Sequence, residues 1–411
     1  MENKGAEYIN MPIKKLLIVL LFFYGFYSNV ISTLTGFDNL KLIISALFVS
    51  LFLFDFYLNS KDYKQKKFLL LPVILIPVYI AVQHQVDQIN FFYTILFGWM
   101  LAQDSKFTLK IIKITFLIQF VLLVYEFSTK TFVFSYLQSG GLISDHVYDY
   151  KKAMELFLTS GFRPKGLFIG TLVATSFVIY LSMIFRNNLK VLAFIFIMAV
   201  MLNGRLALIV VIATIGLKFL KKYDIVLYYN QIKKRFSFRL KLIFTIMLLT
   251  VVLGVLLLLL PPLETRHILN AFNLKSTSNA GRIYYYIETF NVYTHYKWVE
   301  LLFGSNNYSI FDIYGRIGTT ESGFLSMLLN IGLIGVIIYL YFFYKAWRTD
   351  KKPLFDLKNK EIGYRYVVFI TFVSFLQYNH IGGNVRGMLF WFIIIDQILN
   401  VQVKKFSCEI V

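Results

Sequence analysis

Arg205 is an isolated charge between two apolar stretches, in the sequence Asn203–Leu206. No other charged residue lies between Lys190 and Lys218. An arginine near the interior of a membrane is costly unless an anionic group pairs with it. Its planar guanidinium offers parallel donors to the oxygens of a phosphate. Two interpretations stay open, namely a phosphate ligand with a catalytic role and an interfacial arginine in a tight hairpin.

Two further cations, Arg163 and Lys165, stand where another apolar stretch begins, in the sequence Gly161–Phe168. Long basic side chains at such positions often keep their charge at the membrane surface and contact lipid headgroups. Substrate binding is the alternative interpretation, because both cations suit an anionic ligand.

Arg282 directly follows a glycine and precedes a dense run of aromatic residues that continues from Tyr284 to Trp298. Aromatic side chains stack on sugars, but they also form the interfacial belt of ordinary membrane proteins. The belt therefore remains an alternative for the aromatic residues, and Arg282 is a candidate catalytic ligand of phosphate.

Glu321 ends a long polar and aromatic segment, and we expect an apolar helix containing Gly332–Gly335 to follow directly. A carboxylate is favoured at a helix N-terminus, and an ionisable residue at membrane depth is a functional candidate. Glu321 is either a general base or simply the cap of its helix. Arg316, His380 and Arg386 are candidate substrate-binding residues on the same predicted side, with an ordinary interfacial histidine as the alternative for His380.

Motifs for metal or nucleotide chemistry are missing from the sequence. It contains no P-loop, no HExxH motif and no Cys/His cluster with metal-binding spacing. The predicted outer loops also lack the DxD pair that holds a metal–nucleotide. Because nucleotide donors are absent outside the cell, chemistry there needs a lipid-linked donor, and we expect neither a cofactor nor a metal.

The elements that must position these residues are membrane helices. The chain has 411 residues, of which 58% are hydrophobic and only 16% charged, whereas soluble domains have about 25% charged residues. The apolar runs are continuous, as in Leu248–Leu260, and do not alternate as in a barrel. The composition thus predicts an all-α, polytopic transmembrane helical bundle.

About twelve spans are predicted, each near the ~20 residues that a bilayer needs, within one integral membrane domain of residues 1–411. Two predicted extracytoplasmic loops are long, residues 128–166 and residues 261–320. The spans are Leu16–Ser32, Leu40–Leu58, Phe68–Gln83, Ile89–Leu101, Leu109–Phe127, Leu167–Phe185, Leu189–Leu202, Leu206–Leu220, Leu242–Leu260, Gly323–Tyr344, Tyr366–Tyr378 and Met388–Val401.

The distribution of basic residues sets the orientation. With the N-terminus inside, 29 of the 42 Lys and Arg residues fall in inner segments and 13 in outer ones. This bias follows the positive-inside rule and predicts that both termini are cytoplasmic. The net charge of +20 is then a topology signal and an attraction to anionic membrane lipid, so we expect no nucleic-acid partner. All five histidines fall outside.

In four ordered stretches the chain resembles bacterial repeat-unit polymerases of O-antigen, capsule or exopolysaccharide, the Wzy type, within the superfamily that includes the O-antigen ligases. The stretches are Arg163–Phe168, Asn203–Leu208, Gly281 with the aromatic residues after Arg282, and Thr320–Gly335. In the ligases a His-Asn pair stands about eleven residues before the glycine turn. Counting back from Gly332 gives Glu321 here, which departs from the ligase pattern and fits the polymerases better.

The resemblance implies a membrane-embedded, metal-independent glycosyltransferase with a GT-C-like core that joins oligosaccharides linked to undecaprenyl pyrophosphate. Arg205 and Arg282, with Arg163 or Lys165, would hold the pyrophosphate, and Glu321 would accept the proton of the acceptor. It also implies the chain-length regulator and the flippase of the same pathway as partners. The alternatives are a ligase-type glycosyltransferase and a non-enzymatic flippase or transporter. A transporter would usually show internal repeats, and we see no matching halves.

Overall fold

The computed structural model is mostly helical in the parts of the chain that it describes. Those parts are residues 4–35, 40–64, 67–83, 89–133, 164–168, 171–202, 204–222, 277–305, 322–349, 355–356, 361–377 and 384–399. The helices are α1 (Lys4–Phe22), α2 (Ser28–Thr35), α3 (Leu40–Asn59), α4 (Lys67–Gln83), α5 (Ile89–Leu101), α6 (Ser105–Thr129), α7 (Thr171–Ile184), α8 (Leu189–Met201), α9 (Arg205–Lys222), α10 (Thr277–Thr294), α11 (Trp298–Phe303), α12 (Gly323–Thr349), α13 (Tyr364–Gln377) and α14 (Asn384–Leu399). A π-helical turn, Phe23–Tyr27, joins α1 to α2, and the strands β1 (Phe355–Asp356) and β2 (Glu361–Ile362) form one antiparallel hairpin.

The expectation of an all-α protein is confirmed for the described residues, apart from this short hairpin. Eleven of the twelve predicted spans coincide with described helices, and the span predicted at Leu242–Leu260 lies outside the described residues. The boundary predicted at Leu167 was wrong, because α7 begins at Thr171 and Leu167 belongs to a turn. The predicted loop of residues 261–320 contains the two helices α10 and α11.

Within the described parts of the chain, three helical segments are long and apolar enough to cross a membrane, namely Ile43–Asp62, Phe92–Thr129 and Gly323–Thr349. Several other helices are apolar but shorter than that limit. They are Val173–Ile184, Leu189–Met201, Leu206–Lys218 and Tyr364–Leu376.

Helix α6 buries polar side chains and exposes apolar ones, which is the reverse of a helix in a soluble protein. Its buried face carries Thr115, Gln119 and Glu126, each with no exposed surface. Its opposite face exposes large apolar side chains, with Leu117 59% and Val121 64% exposed. Apolar residues outside and polar residues inside suit a helix with lipid on one side and polar groups that find partners within the bundle. The fold thus indicates a membrane protein.

Helix α14 forms the centre of the bundle. Its residues from Met388 to Ile398 are all buried, and all of them except Asp396 and Gln397 are apolar, as expected of a helix inside a bundle. It packs closely against α5, where a Cβ atom on Gly98 would lie 2.3 Å from the Cβ of Trp391. Trp391 also contacts the ring of Tyr339 in α12, with ring centres 4.7 Å apart. These contacts hold α5, α12 and α14 together.

Helix α12 is kinked at Gly332, where φ is 69° and ψ is −167°. Glycine adopts a positive φ without steric cost, whereas other residues rarely do. The backbone of residues 302–304 also approaches closely here. A Cβ atom at Gly332 would lie 2.4 Å from both the Gly304 nitrogen and the Leu302 oxygen. The kink was not among the predictions from the sequence.

The carbonyl groups around this kink find partners outside α12. The amide of Ser305 donates to the oxygen of Leu329 over 2.7 Å. The Tyr79 hydroxyl of α4 donates to the oxygen of Ile331 over 2.7 Å, and the Tyr296 hydroxyl lies 3.5 Å from the oxygen of Leu329. Because buried carbonyl groups need hydrogen bonds, the kink fixes α4 and the segment after α11 against α12.

The hairpin is attached to the end of α7. The Arg186 side chain donates to the oxygen of Ile362 over 3.0 Å, and the Ile362 amide donates to the Asn187 side chain over 3.0 Å. The residues directly after α7 are therefore anchored to the hairpin between α12 and α13.

Candidate functional site

The structure describes only some of the residues singled out from the sequence. Lys165 and Arg386 are described with their side chains, whereas Arg205 and Arg282 are described as helical backbone positions. Arg205 begins α9 and Arg282 lies near the start of α10. The remaining predicted site residues lie outside the described part of the chain, namely Arg163, Arg316, Glu321 and His380.

A turn of five residues, Pro164–Phe168, lies against the last turns of α6 and precedes α7. The amide groups of Lys165 and Gly166 donate to one carboxylate oxygen of Glu126, over 2.7 and 2.9 Å. The Gln119 side chain donates to the oxygen of Lys165 and accepts from the amide of Leu167, over 2.9 and 2.8 Å. Gln119 and Glu126 are seven positions apart and therefore share one face of α6.

Glu126 is fully buried, with no exposed surface. Its second carboxylate oxygen accepts the amide of Val133 over 3.0 Å, so three backbone N–H groups converge on this side chain. A carboxylate in the last turn of a helix is disfavoured by the helix dipole. The three amide donors compensate for that position, and charge-assisted hydrogen bonds of this type are stronger than neutral ones.

The shape of the turn depends on Gly166 and Phe168. Gly166 has a φ of +58°, and a Cβ atom there would lie 2.5 Å from the Gln119 oxygen. The Phe168 ring packs against Phe26 in the π-helical turn and Phe177 in α7, with ring centres 5.8 and 5.2 Å apart. The turn is thus held from its backbone side by α6 and from its side-chain side by apolar packing.

The Lys165 side chain is buried, since only 2% of its surface is exposed. Its ammonium lies 5.0 Å from the ring centre of Phe132. Among the described residues the Nζ atom has no hydrogen-bond partner. Burial lowers the pKa of Lys165 to about 8, and the Glu126 carboxylate acts in the opposite direction and raises it. At neutral pH this group is mostly a buried cation, which suits an anionic ligand.

The start of α9 packs against the first half of α7. Only three residues separate the end of α8 at Met201 from Arg205, so these two helices form the tight hairpin that the sequence left open. A Cβ atom at Gly204 would lie 2.5 Å from the Thr175 methyl group, and Thr175 itself is buried. Glycine at this position therefore allows the backbone next to Arg205 to approach α7.

Arg386 lies in the first turn of α14. It is half-buried and interacts electrostatically with the buried Tyr180, whose hydroxyl hydrogen-bonds the Ser374 side chain of α13. Thr175 and Tyr180 are five positions apart on α7, which corresponds to about 7.5 Å along a helix axis. Helix α7 thus follows the turn of Lys165 and is approached by the backbone before Arg205 at Thr175, and its Tyr180 interacts with Arg386.

Ser322 occupies the position that begins α12. Its hydroxyl accepts from the amide of Leu325 over 3.4 Å and donates to the oxygen of Leu376 over 2.7 Å. Ser322 is thus the N-cap of α12. The neighbouring Glu321 lies outside the described residues, and both interpretations of it from the sequence remain predictions.

Glu126 and Gln119 were missed as site residues in the reading of the sequence. The signal was present, because an acidic residue at the end of an apolar helix is costly and its spacing from Gln119 places both on one face. Only the fold reveals that this face meets the turn of Lys165.

Comparisons with protein-family models, with curated proteins and with solved structures find no match to this chain. Among the described residues, the candidate site is a buried lysine in a constrained turn that precedes α7.

Proposed function

We propose that this chain is a polysaccharide polymerase of about twelve spans with a GT-C-like core, which joins repeat units linked to undecaprenyl pyrophosphate on the outer face of the cytoplasmic membrane. The growing chain on its lipid pyrophosphate is the donor. A sugar hydroxyl at the non-reducing end of a new lipid-linked repeat unit is the acceptor. Both substrates are anchored in one membrane, so a site among apolar helices meets them in the same plane and gains from their proximity.

The observation that carries this proposal is the buried ammonium of Lys165 in a turn fixed by Gln119 and Glu126. Burying a cation costs free energy unless a charged or hydrogen-bonding partner compensates for it. Glu126 compensates in part, but its carboxylate oxygens already accept three backbone amides. A phosphate oxygen supplies the hydrogen-bond acceptor that the Nζ atom lacks among the described residues.

In the proposed reaction the acceptor hydroxyl oxygen attacks the anomeric carbon at the reducing end of the donor glycan. A new glycosidic C–O bond forms as the C–O bond to the pyrophosphate breaks. The bonding electrons leave with undecaprenyl pyrophosphate, and Glu321 takes the proton of the hydroxyl as general base. Arg205, Arg282 and Lys165 stabilise the charge that develops on the leaving pyrophosphate.

Arg163, Arg316, His380 and Arg386 are assigned to substrate binding in this proposal. The N- and C-termini lie in the cytoplasm, as the 29-to-13 division of basic residues suggests. The flippase that delivers repeat units and the regulator of chain length are the proposed protein partners, and membrane lipid surrounds the helices.

The experiment is an analysis of lipid-linked and surface-linked glycans in a bacterial strain from which this chain has been deleted. We expect the long polymer to disappear while one repeat unit is still transferred to the surface. Loss of that single unit as well would indicate a ligase, and accumulation of repeat units on the inner leaflet would indicate a transporter. Complementation with Lys165→Met should not restore the polymer, whereas Lys110→Met, a change at an exposed lysine in the first half of α6, should restore it.

A further inference from the structure

Glu126 forms more hydrogen bonds with other segments than the packing of α6 alone requires. A fully buried carboxylate at the end of an apolar helix accepts the amides of Lys165, Gly166 and Val133. Two of these donors belong to the turn that carries the buried ammonium, and the third follows α6. One side chain therefore sets where the turn lies and where the chain goes after α6.

The same carboxylate is the charged group of the described chain that acts on Lys165. The other described groups near the turn do not compete for this role. The Phe132 ring near Lys165 bears no charge. Tyr27 packs beside Leu167, but its hydroxyl forms a hydrogen bond of 3.1 Å with the Thr115 hydroxyl of α6. Because a buried charge is costly when it is not compensated, removing either Glu126 or Lys165 should disfavour the charge of the other.

We propose that Glu126 and Gln119 are positioning residues, which hold the Pro164–Phe168 turn so that the Lys165 ammonium binds one phosphate group of a pyrophosphate. The same carboxylate, which binds the amide of Lys165 itself, also places a negative charge next to that residue. This inference rests on the proposed function for the identity of the substrate. The binding chemistry itself, a buried ammonium on a phosphate, also fits free pyrophosphate or a phospholipid headgroup.

The pH dependence of phosphate binding follows from the two opposite effects on the pKa of Lys165. Burial lowers the pKa of Lys165 to about 8 and Glu126 raises it, so removing the charge of Glu126 must lower that pKa further. Lys165 binds phosphate in its protonated form, which is present below its pKa. Binding that depends on Lys165 is therefore lost as pH rises through this pKa, and Glu126→Gln should move the loss to lower pH.

The test uses the full-length protein in nanodiscs of zwitterionic lipid and measures the Kd of inorganic pyrophosphate by calorimetry between pH 6.5 and 9.5. The variants are Lys165→Met, Glu126→Gln and Glu126→Asp, with Lys110→Met and Glu288→Gln as matched controls away from the turn. We expect Lys165→Met to weaken binding about tenfold or more, as for loss of a charge-assisted hydrogen bond. Glu126→Gln should shift the alkaline loss of binding to lower pH, and both controls should match the wild type.

Glu126→Asp separates position from charge. It keeps the carboxylate but shortens the side chain, so we expect weaker binding at every pH with an unchanged midpoint of the alkaline loss. If thermal unfolding shows that Glu126→Gln does not fold, Glu126→Asp still tests whether Glu126 positions the turn. Wild-type affinity in Lys165→Met, or a wild-type pH dependence in Glu126→Gln with wild-type binding in Glu126→Asp, overturns the inference.

Two further measurements are needed. The first distinguishes lipid-linked pyrophosphate from phospholipid as the ligand, and the second tests the proposed function separately from the phosphate site. Undecaprenyl pyrophosphate placed in the nanodiscs should displace inorganic pyrophosphate, whereas displacement by an anionic phospholipid alone assigns the site to bulk lipid and overturns the substrate role. If pyrophosphate binds with the expected dependence but the purified protein makes no polymer, the proposed function fails and the phosphate site stands. If polymer forms and all variants behave as wild type, only the positioning inference fails.

Discussion

Replacing Gly332 by alanine perturbs the kink that fixes α4 and the segment after α11 to α12. The new Cβ atom would lie 2.4 Å from the Gly304 nitrogen and the Leu302 oxygen, at a residue whose φ is 69°. Both neighbours are backbone atoms, so they cannot swing aside as a side chain would.

The expected cost has two parts. Holding a residue other than glycine in this backbone conformation costs about 1–3 kcal/mol, and relieving the overlap costs about another 1–3 kcal/mol. Alanine regains roughly 0.4–1 kcal/mol by restricting the unfolded chain. We therefore expect Gly332→Ala to lower the free energy of unfolding by about 1–5 kcal/mol, which is a large part of a typical total of about 5–15 kcal/mol.

Gly216→Ala is the matched control, because Gly216 lies within α9 and a Cβ atom there would meet nothing within 4 Å. In a helix interior this change should stabilise by roughly 0.5–1 kcal/mol. The assay is unfolding of the full-length protein by sodium dodecyl sulfate, followed by tryptophan fluorescence. Hydrogen exchange at the Ser305 amide, which donates to Leu329, should accelerate in Gly332→Ala. Equal stabilities of the two variants would refute the described kink.

Cysteines introduced into Pro261–Thr320 should react with a membrane-impermeant reagent from outside, whereas labelling at Gln231 would contradict the topology. Arg205→Ala should abolish polymer at a normal protein level, and Arg205→Lys should restore it only partly because lysine lacks the planar fork; full activity of the alanine variant would leave Arg205 as an interface residue. Glu321→Gln should fold and bind lipid-linked substrate but make no polymer, while Glu321→Asp should retain a little activity. Normal chains from the glutamine variant would pass the role of base to a histidine, with His380 the first to test.

The positions of helices followed closely from the sequence. The helix predicted at Ile89–Leu101 has those bounds in the structure, because the apolar run is continuous and polar residues flank it. The helix predicted to end at Tyr344 continues to Thr349. There Lys345 and Arg348 lie over the rings of the residues four positions before them, at 5.7 and 5.2 Å. Such pairs let a helix continue beyond its apolar stretch.

Features that depend on distant contacts could not be predicted in this way. A glycine within an apolar helix gives no sign of a kink, and at Gly332 the kink depends on the approach of residues 302–304, far away in the chain. Glu126 and Lys165 are separated by 39 positions and meet only because the turn folds back on α6. Arg205 and Arg386 were chosen for their charge, whereas their arrangement around α7 depends on helix packing.

The proposed function requires that this chain extends a lipid-linked glycan by binding its pyrophosphate. This can be measured with the purified wild-type protein in nanodiscs, lipid-linked repeat units extracted from the deletion strain, and a chelator of divalent ions. We expect a ladder of products that differ by one repeat unit, with undecaprenyl pyrophosphate released at each step and no ladder from Lys165→Met. No extension by a folded wild-type protein, or extension only after a divalent ion is restored, would contradict it.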